Sequence, residues 1–304
     1  MISEAVKICG VHFKNPIISA SGTYGFGTEF SRIYDISLLG GISLKGLTFE
    51  KRDGNPPPRI AETASGLLNS VGLQNPGVDD FLKFTLPQLK SVDTVLIANI
   101  AGNTIEEYIQ VAQALKGDTV NLYELNISCP NVKLGGMQFG IQPESVKEVT
   151  AAVKAHCDKP LIVKLSPNVA DIAENALAAQ EGGADGISLI NTLTGMAINA
   201  HTKRPVFANT VGGLSGPAIK PVALRMVHQV CKAVSIPVIG MGGIMSGTDV
   251  AEFMLCGASA VMVGSANIIE PRACPKIIEE FRAYLEEQNM SAAELIGSLK
   301  PWKE

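Results

Sequence analysis

The sequence lacks the features that identify several large classes of protein. It contains no run of lysine or arginine, and its 25 basic and 29 acidic side chains give a formal net charge of −4. Proteins that bind nucleic acids normally carry clustered positive charge, so we expect no nucleic-acid partner. No apolar stretch approaches the roughly 20 residues that a membrane-spanning helix needs. We therefore expect no membrane partner either.

Neither the cysteines nor the first residues point to a metal site or to secretion. The six cysteines are scattered, with no C-x-x-C pair and no metal-ligand spacing. We therefore predict reduced thiols, no bound metal and no iron–sulfur cluster in this chain. The N-terminal segment lacks the apolar core of a secretory signal. Together these absences predict a cytoplasmic protein.

The common nucleotide-binding fingerprints are missing as well. Gly240-Met241-Gly242 begins like the dinucleotide motif G-x-G-x-x-G, but Met245 occupies the position of the third glycine. The sequence contains no Walker loop. We therefore expect no recognisable NAD or ATP site in this chain.

What the sequence does contain is a repeated alternation of short apolar segments with amphipathic helices. With 46% hydrophobic residues among 304, the chain can bury a large core. Segments that are apolar throughout are typical of parallel strands buried on both faces. Eight of them alternate with helices, which favours an α/β fold, a (β/α)₈ TIM barrel, over an open doubly wound sheet. We predict one domain over residues 1–304, with strands at 17–20, 42–47, 95–100, 123–127, 161–165, 186–190, 237–240 and 260–263 after a short hairpin at 6–8 and 11–13.

Local signals predict where some helices begin. Thr104 and Glu107 have the spacing of a capping box. Pro143 suits the first turn of a helix. Thr248 is expected to cap a helix that ends near Gly257.

Two strand-to-helix connections, at about 48–80 and 192–216, are unusually long. Loops of this length in a compact domain are commonly functional. Both follow the carboxyl ends of predicted strands, where barrel enzymes build their sites. We therefore expect long loops on that face of the barrel.

Polar residues follow or close most of the predicted strands. Lysine and asparagine side chains that point into a barrel mouth cost desolvation free energy unless a polar ligand satisfies them. One such residue is usually structural, but a convergent set indicates a bound ligand. The set comprises Ser21, Lys45, Asn99, Asn126, Lys164 and Asn191.

The last two strands end in glycine-rich turns, Gly242-Gly243 and Gly264-Ser265. In barrels, the loops after strands 7 and 8 commonly bind a phosphate group. The alternative is a pair of ordinary tight turns. A phosphate site without a dinucleotide motif suggests a mononucleotide cofactor, and FMN is common in such barrels. Lys164 would then stabilise the negative charge of the reduced flavin.

One stretch combines a thiol with a glycine-rich segment. Pro130 disfavours a helical conformation at Cys129, so the thiol should lie on an extended loop. The segment 135–140 has three glycines and two large apolar side chains, as a hinged flap would. We interpret Cys129 as a general base whose pKa, ordinarily ~8.5, is brought within range by cations such as Lys45. The alternative is a buried structural cysteine.

Several motifs together resemble one enzyme family over essentially the whole length. The chain is similar to the catalytic subunit of class 1B dihydroorotate dehydrogenases, the NAD-linked bacterial enzymes of pyrimidine biosynthesis. The motifs are Ala20-Ser21-Gly22-Thr23-Tyr24-Gly25-Phe26-Gly27, Lys45-Gly46, Asn69-Ser70-Val71-Gly72-Leu73, Asn126-Ile127-Ser128-Cys129-Pro130-Asn131, Lys164-Leu165-Ser166-Pro167, Ile190-Asn191-Thr192 and the two glycine pairs.

The resemblance implies roles for individual residues. Cys129 would remove the C5 proton of dihydroorotate while FMN takes the hydride. Substrate contacts would come from Lys45, Asn69, Ser70, Val71, Gly72, Leu73, Asn126, Asn191 and Thr192. FMN contacts would come from Ser21, Lys45, Gly46, Asn99, Asn126, Lys164, Ile190, Gly216, Gly242, Gly243, Gly264 and Ser265.

The resemblance also implies a partner. Electrons would pass to NAD through an electron-transfer subunit carrying FAD and a [2Fe–2S] cluster, in a heterotetramer of two catalytic and two electron-transfer subunits. Two alternatives stay open at this point. One is a fumarate-linked class 1A homodimer, although those enzymes differ around 23–27 and 135–140. The other is a barrel that binds a phosphorylated metabolite without catalysis.

Overall fold

The computed structural model describes residues 2–117, 120–128 and 139–302. We number strands and helices along the chain. The first two strands, β1 (Val6–Ile8) and β2 (Val11–Phe13), form the predicted antiparallel hairpin. Phe13 is buried, and its ring contacts Gly41, where an added Cβ would lie 3.0 Å from the ring. Because Gly41 begins a barrel strand, the hairpin packs under the amino-terminal end of the barrel.

Eight parallel strands close into a barrel, as predicted. Every residue in them is buried, which is the pattern of strands that are covered on both faces. The strands are β3 (Ile17–Ser19), β4 (Gly41–Ser43), β7 (Val95–Ile100), β8 (Leu122–Asn126), β9 (Leu161–Lys164), β10 (Gly186–Leu189), β15 (Val238–Met241) and β16 (Ala260–Val263). Around the barrel their order is β10-β15-β16-β3-β4-β7-β8-β9.

Helices connect the strands and cover the outside of the barrel. None of the helices in the described part of the chain is long and apolar enough to cross a membrane. A π turn, Phe81–Thr85, joins the first two helices. The helices are α1 (Val78–Asp80), α2 (Leu86–Leu89), α3 (Ile105–Ala114), α4 (Pro143–Lys154), α5 (Ile172–Glu181), α6 (Lys220–Ala233), α7 (Gly247–Leu255), α8 (Ala266–Ile269), α9 (Ala273–Gln288) and α10 (Ala292–Leu295).

The predicted helix starts are partly confirmed. Thr104 caps α3 by accepting a hydrogen bond from the backbone N–H of Glu107, and α4 begins at Pro143. The carboxylate of Glu107 accepts from the backbone of Asn103 and not from that of Thr104, so only half of the predicted capping box forms. The prediction for Thr248 is wrong. Ser246 caps α7 in a reciprocal capping box with Asp249, which leaves Thr248 inside the helix.

The two long connections pair with each other. The first contributes β5 (Ile60–Thr63) and β6 (Gly66–Asn69), and the second contributes β11 (Leu193–Met196) and β14 (Val211–Ser215). These strands form an antiparallel sheet in the order β11-β14-β6-β5. The second connection also carries the short hairpin of β12 (Ile198–Asn199) and β13 (Arg204–Pro205). The sheet forms one wall above the carboxyl ends of the barrel strands.

Candidate active site

A deep cleft opens at the carboxyl ends of the barrel strands, beside this sheet. Its empty space totals about 1200 Å³, including open solvent at the mouth. The cleft brings together nearly all of the predicted site residues. They are Ser21, Lys45, Gly46, Asn69, Val71, Gly72, Leu73, Asn99, Asn126, Lys164, Ile190, Asn191, Thr192, Gly216, Gly242, Gly243, Gly264 and Ser265.

Cys129, the proposed flap and Ser70 are the predicted site features that are not found among the described residues that line the cleft. Cys129 and the part of the proposed flap at 135–138 lie outside the described residues. Ser70 is described, and it lies behind the cleft wall with 2% of its surface exposed. Its hydroxyl accepts hydrogen bonds from Asn55 at 3.3 Å and Asn209 at 3.2 Å. In this position Ser70 holds the turn that carries Val71 to Leu73.

Three asparagines in the cleft belong to one chain of hydrogen bonds. The Nδ2 of Asn126 donates to Oδ1 of Asn99 at 3.2 Å. The Oδ1 of Asn126 accepts from the hydroxyl of Ser128 at 3.1 Å. The Nδ2 of Asn191 donates to that same hydroxyl oxygen at 2.8 Å. Each amide orientation is thereby set by its neighbour, as buried amides require.

Two ammonium groups give the cleft positive charge. Lys164 ends β9, and its side chain is 5% exposed, with Nζ 3.8 Å from Oε2 of Glu124. The Nζ of Lys45 lies near the end of β3, across the barrel from Lys164, where a Cβ on Gly22 would lie 3.8 Å from it. Both lysines line the cleft, so an anionic ligand would find a cation at each of two positions.

The glycine turns bring backbone segments close together. Gly243 has a φ of +76°, and a Cβ there would lie 2.8 Å from the carbonyl oxygen of Gly216. Gly216 has a φ of +102°, and its Cβ would lie 2.5 Å from Cα of Gly66. Side chains at either position would strain the backbone and fill the space between the loops. These glycines therefore allow the loops to pack closely, and they also line the cleft, where backbone N–H groups are suitable donors for a phosphate group.

A partly buried ion pair ties the two loops that carry these glycines. The Nζ of Lys220 lies 2.5 Å from Oδ1 of Asp249, whose Oδ2 accepts from the backbone N–H of Met245 at 2.8 Å. Burial raises the pKa of the Asp249 carboxyl, but the hydrogen bonds from Lys220 and the backbone outweigh burial and lower it below its ordinary value. The carboxylate is therefore stabilised in its charged form.

The described thiols are poor candidates for chemistry. Burial raises the pKa of Cys9, Cys157, Cys231 and Cys274 to about 12, and it raises the pKa of Cys256 as well. Such thiols stay protonated at neutral pH and are weak nucleophiles. Among residues 2–117, 120–128 and 139–302, no group of three or more His, Cys, Asp or Glu side chains is arranged to hold a metal ion.

Sequence reasoning missed several residues of the site. Glu124 lies directly beneath it and is the only charged residue in β8. That placement, an acidic residue inside an apolar strand, was the available signal. The apolar wall carries no comparable signal, because apolar residues are common everywhere in the chain. Its members include Ile60, Leu67, Ile219, Met241, Met262 and Ile268.

Comparison with known proteins identifies relatives over the full length. The family model for dihydroorotate dehydrogenase matches residues 3–285. The chain is 56% identical over 299 residues to the "Dihydroorotate dehydrogenase B (NAD(+)), catalytic subunit" of Alkaliphilus metalliredigens, covering 98% of this chain and 99% of that protein. The protein of the same name from Bacteroides thetaiotaomicron is 53% identical over 302 residues, covering 99% and 100% of the two chains.

A solved structure supports the fold. The dihydroorotate dehydrogenase of Eimeria tenella, crystallised with ferulenol, superimposes with a TM-score of 0.82 at 22% identity, covering 97% of this chain and 88% of that one. The names of the bacterial relatives confirm the resemblance to class 1B catalytic subunits that the sequence motifs indicated. The chain therefore belongs to the dihydroorotate dehydrogenase family of oxidoreductases.

Proposed function

We propose that this protein oxidises dihydroorotate to orotate in pyrimidine biosynthesis, with FMN bound in the cleft. The observation that carries the proposal is the set of side chains and backbone turns that line the cleft. Two ammonium groups, asparagine amides and two glycine turns converge at the carboxyl ends of the strands in a chain of this family. Such a donor set suits a phosphorylated, ring-containing cofactor beside an anionic substrate.

The residues present fit FMN. The backbone of the turns at Gly242-Gly243 and Gly264-Ser265 would receive the phosphate, because all four residues line the cleft and backbone N–H groups suit a phosphate. Lys164 would face the ring, since its ammonium is held at the base of the cleft. When bound, FMN supplies a hydride acceptor. Residues 1–304 would act as one FMN-binding domain, with contacts from Ser21, Lys45, Gly46, Asn99, Asn126, Ile190 and Gly216 as well.

The asparagines and Lys45 would hold the substrate. Dihydroorotate carries a carboxylate and a ring with alternating N–H and C=O groups. The ammonium of Lys45 offers a partner for the carboxylate. Side-chain amides both donate and accept, so Asn69, Asn126 and Asn191 match the edge of the ring. The backbone of Val71 to Leu73 and the side chain of Thr192 would close the site.

Cys129 would act as the general base, although it lies outside the described residues. Its thiolate would accept the proton from C5 of the substrate, which lets the C5–C6 double bond form as the hydride leaves. The preceding residue, Ser128, is fixed by hydrogen bonds from Asn191 to its hydroxyl at 2.8 Å and its carbonyl at 3.2 Å. That attachment fixes the chain immediately before the thiol.

A second subunit would carry the electrons to NAD. The bacterial relatives are named as catalytic subunits of NAD(+) enzymes, which supports a separate electron-transfer subunit. This sequence contains no cysteine cluster for iron–sulfur binding. The family resemblance implies a partner that holds FAD and a [2Fe–2S] cluster, in a cytoplasmic heterotetramer of two catalytic and two electron-transfer subunits.

The test is an assay of electron acceptors. The purified chain should bind FMN without a covalent link and should be reduced by dihydroorotate. Reduction of NAD should be slow with the chain alone and fast once the electron-transfer subunit is added. Efficient NAD reduction by the isolated chain, or no gain from the partner, would refute the NAD-linked assignment. Rapid turnover with fumarate would favour the class 1A alternative, and a chain that binds no FMN would support a non-catalytic barrel.

A further inference from the structure

Glu124 is a buried acidic residue that the proposed function does not use. It occupies the middle of β8 and is 0% exposed. Side chains alternate along a strand, so Glu124 points to the same side as Asn126, which lines the cleft. Glu124 therefore lies one layer below the floor of the cleft, inside the barrel.

Four side chains from four other barrel strands converge on its carboxylate. The Oε1 atom accepts a 2.7 Å hydrogen bond from the hydroxyl of Ser188. The Oε2 atom accepts from the hydroxyl of Ser43 at 2.9 Å and from Nδ2 of Asn99 at 2.6 Å. The Nζ of Lys164 lies 3.8 Å from Oε2. The amide nitrogen and the ammonium can only donate, so the site suits a negatively charged carboxylate.

Stability alone gives no reason for this arrangement. Burying a charged pair has a large desolvation cost, and apolar side chains of similar volume often replace such pairs without loss of stability. Two of the four partners of Glu124, however, line the cleft: Asn99 and Lys164. A role in positioning residues of the cleft explains why Glu124 and Lys164 are buried together, which stability alone does not.

The orientation of the cleft amides starts from this carboxylate. Because Nδ2 of Asn99 donates to Glu124, its Oδ1 is left to accept from Asn126 at 3.2 Å. The Oδ1 of Asn126 is then left for the hydroxyl of Ser128, the residue before Cys129. The side chain of Glu124 thus fixes one end of a chain of hydrogen bonds that crosses the site.

We propose that Glu124 is a positioning residue of the flavin site, which holds Lys164 and Asn99 and limits by its negative charge how strongly Lys164 stabilises reduced FMN. The inference rests on the proposed function, because it requires FMN to bind beside Lys164. The ammonium favours the more negatively charged, reduced form of the cofactor. The carboxylate behind it opposes that effect, so the pair together sets the reduction potential.

Glu124→Gln removes the negative charge while keeping nearly the same side-chain size and shape, so it tests the effect of the charge. The amide nitrogen of the new side chain would face the Ser188 hydroxyl, which is able to accept, and the amide oxygen would still accept from Asn99. Ser43→Ala is the matched control, since it removes one hydrogen bond to Glu124 and keeps the charge. The measurements are the midpoint potential of bound FMN, by equilibrium titration with a redox dye, and the Kd of the apoprotein for oxidised FMN.

In Glu124→Gln the affinity for reduced FMN relative to oxidised FMN should rise about tenfold, which is about 30 mV toward positive potential for a two-electron couple. In Ser43→Ala the ratio should change less than about threefold. A potential that is unchanged or lower in Glu124→Gln would overturn the inference.

A second variant covers the case in which Glu124→Gln does not retain FMN. Glu124→Asp keeps the negative charge. Its affinity for reduced FMN relative to oxidised FMN must therefore stay within about threefold of the wild-type value, and a change of about tenfold or more would overturn the inference. Measurements on the wild-type protein distinguish failure of the proposed function from failure of the inference. Failure of wild-type protein to bind FMN would overturn the proposed function, and the inference with it. A wild-type protein that is reduced by dihydroorotate, with no shift in Glu124→Gln, would overturn the inference alone.

Discussion

The side-chain amide of Asn191 donates a 2.8 Å hydrogen bond to the hydroxyl of Ser128, which lies 63 residues earlier in the chain. The Oδ1 of Asn191 accepts from the backbone N–H of Thr192 at 2.7 Å. Asn191 follows β10 and Ser128 follows β8, so the contact joins the ends of two barrel strands. Under the proposed function, Asn191 would thus hold the residue that precedes the catalytic thiol of Cys129.

Replacing Asn191 should therefore weaken ligand binding and loosen the position of Ser128. We expect Asn191→Ala to raise the Kd for orotate by about 10- to 100-fold, because under the proposed function a hydrogen-bonding partner of the ligand would be lost and Ser128 would be released. Asn168→Ala is the matched control. Asn168 donates to the carbonyl of Thr192 at 3.0 Å and is outside the cleft lining, so its replacement should change the Kd less than about fivefold. Equal losses in a binding titration of the two variants would contradict a direct role for Asn191.

The second prediction concerns Cys129 itself. Cys129→Ala should bind FMN and orotate like the wild-type protein, but it should slow the reduction of FMN by dihydroorotate by about 10²–10⁴-fold, the range for loss of a general base. The measurement is anaerobic stopped-flow absorbance over a range of pH. The wild-type rate should rise with pH as the thiolate forms. Wild-type rates in the alanine variant at every pH would make Cys129 a structural thiol.

The third prediction is selective alkylation. Burial raises the pKa of Cys9, Cys157, Cys231 and Cys274 to about 12, so these thiols are protonated at pH 8 and react slowly. Under the proposed function, Cys129 has a larger thiolate fraction and should be labelled first by iodoacetamide. Peptide mass mapping after short exposure measures the order, and orotate should protect Cys129. Labelling of Cys9, Cys157, Cys231 and Cys274 at the same rate as Cys129 would count against its activation.

The fourth prediction concerns acid stability of the glycine loops. The pKa of Asp249 is lowered in the folded state, so its contribution to stability is complete above the ordinary carboxyl value of 3.8 and is lost as pH falls toward the folded value. Asp249→Asn should cost about 1–3 kcal/mol of unfolding free energy at pH 7, from the lost charge-assisted hydrogen bonds to Lys220 and the backbone. The gap between variant and wild type should close as the pH falls below 3.8.

The control for Asp249 is an exposed ion pair. Lys147 and Glu181 lie 2.8 Å apart with more than half of each side chain exposed. Lys147→Met should change the unfolding free energy by less than about 1 kcal/mol, because solvent screens such pairs. Urea unfolding at several pH values measures both variants. A gap for Asp249→Asn that is independent of pH would show that charge at Asp249 contributes nothing.

Local patterns in the sequence were sufficient to predict the barrel. Each barrel strand lies in a mostly apolar segment with a helix or a long loop on either side, and both patterns can be read within a few residues. The same is true of most site residues, because the carboxyl end of a parallel strand in a barrel always faces the site. The identity of Lys45, Lys164 and the three asparagines, together with their places at strand ends, was therefore enough to bring them into one cleft before any contact was known.

Contacts between distant segments were decided only by tertiary structure. Ser246 caps α7 because its hydroxyl accepts from the backbone N–H of Asp249, and its distance of two residues from Thr248 is a difference that composition does not resolve. The pairing of β6 with β14 joins segments about 145 residues apart, and no local pattern encodes its register. The carboxylate of Glu124 acquires its partners only when five strands meet inside the closed barrel, because side chains from separate strands face one another only after closure.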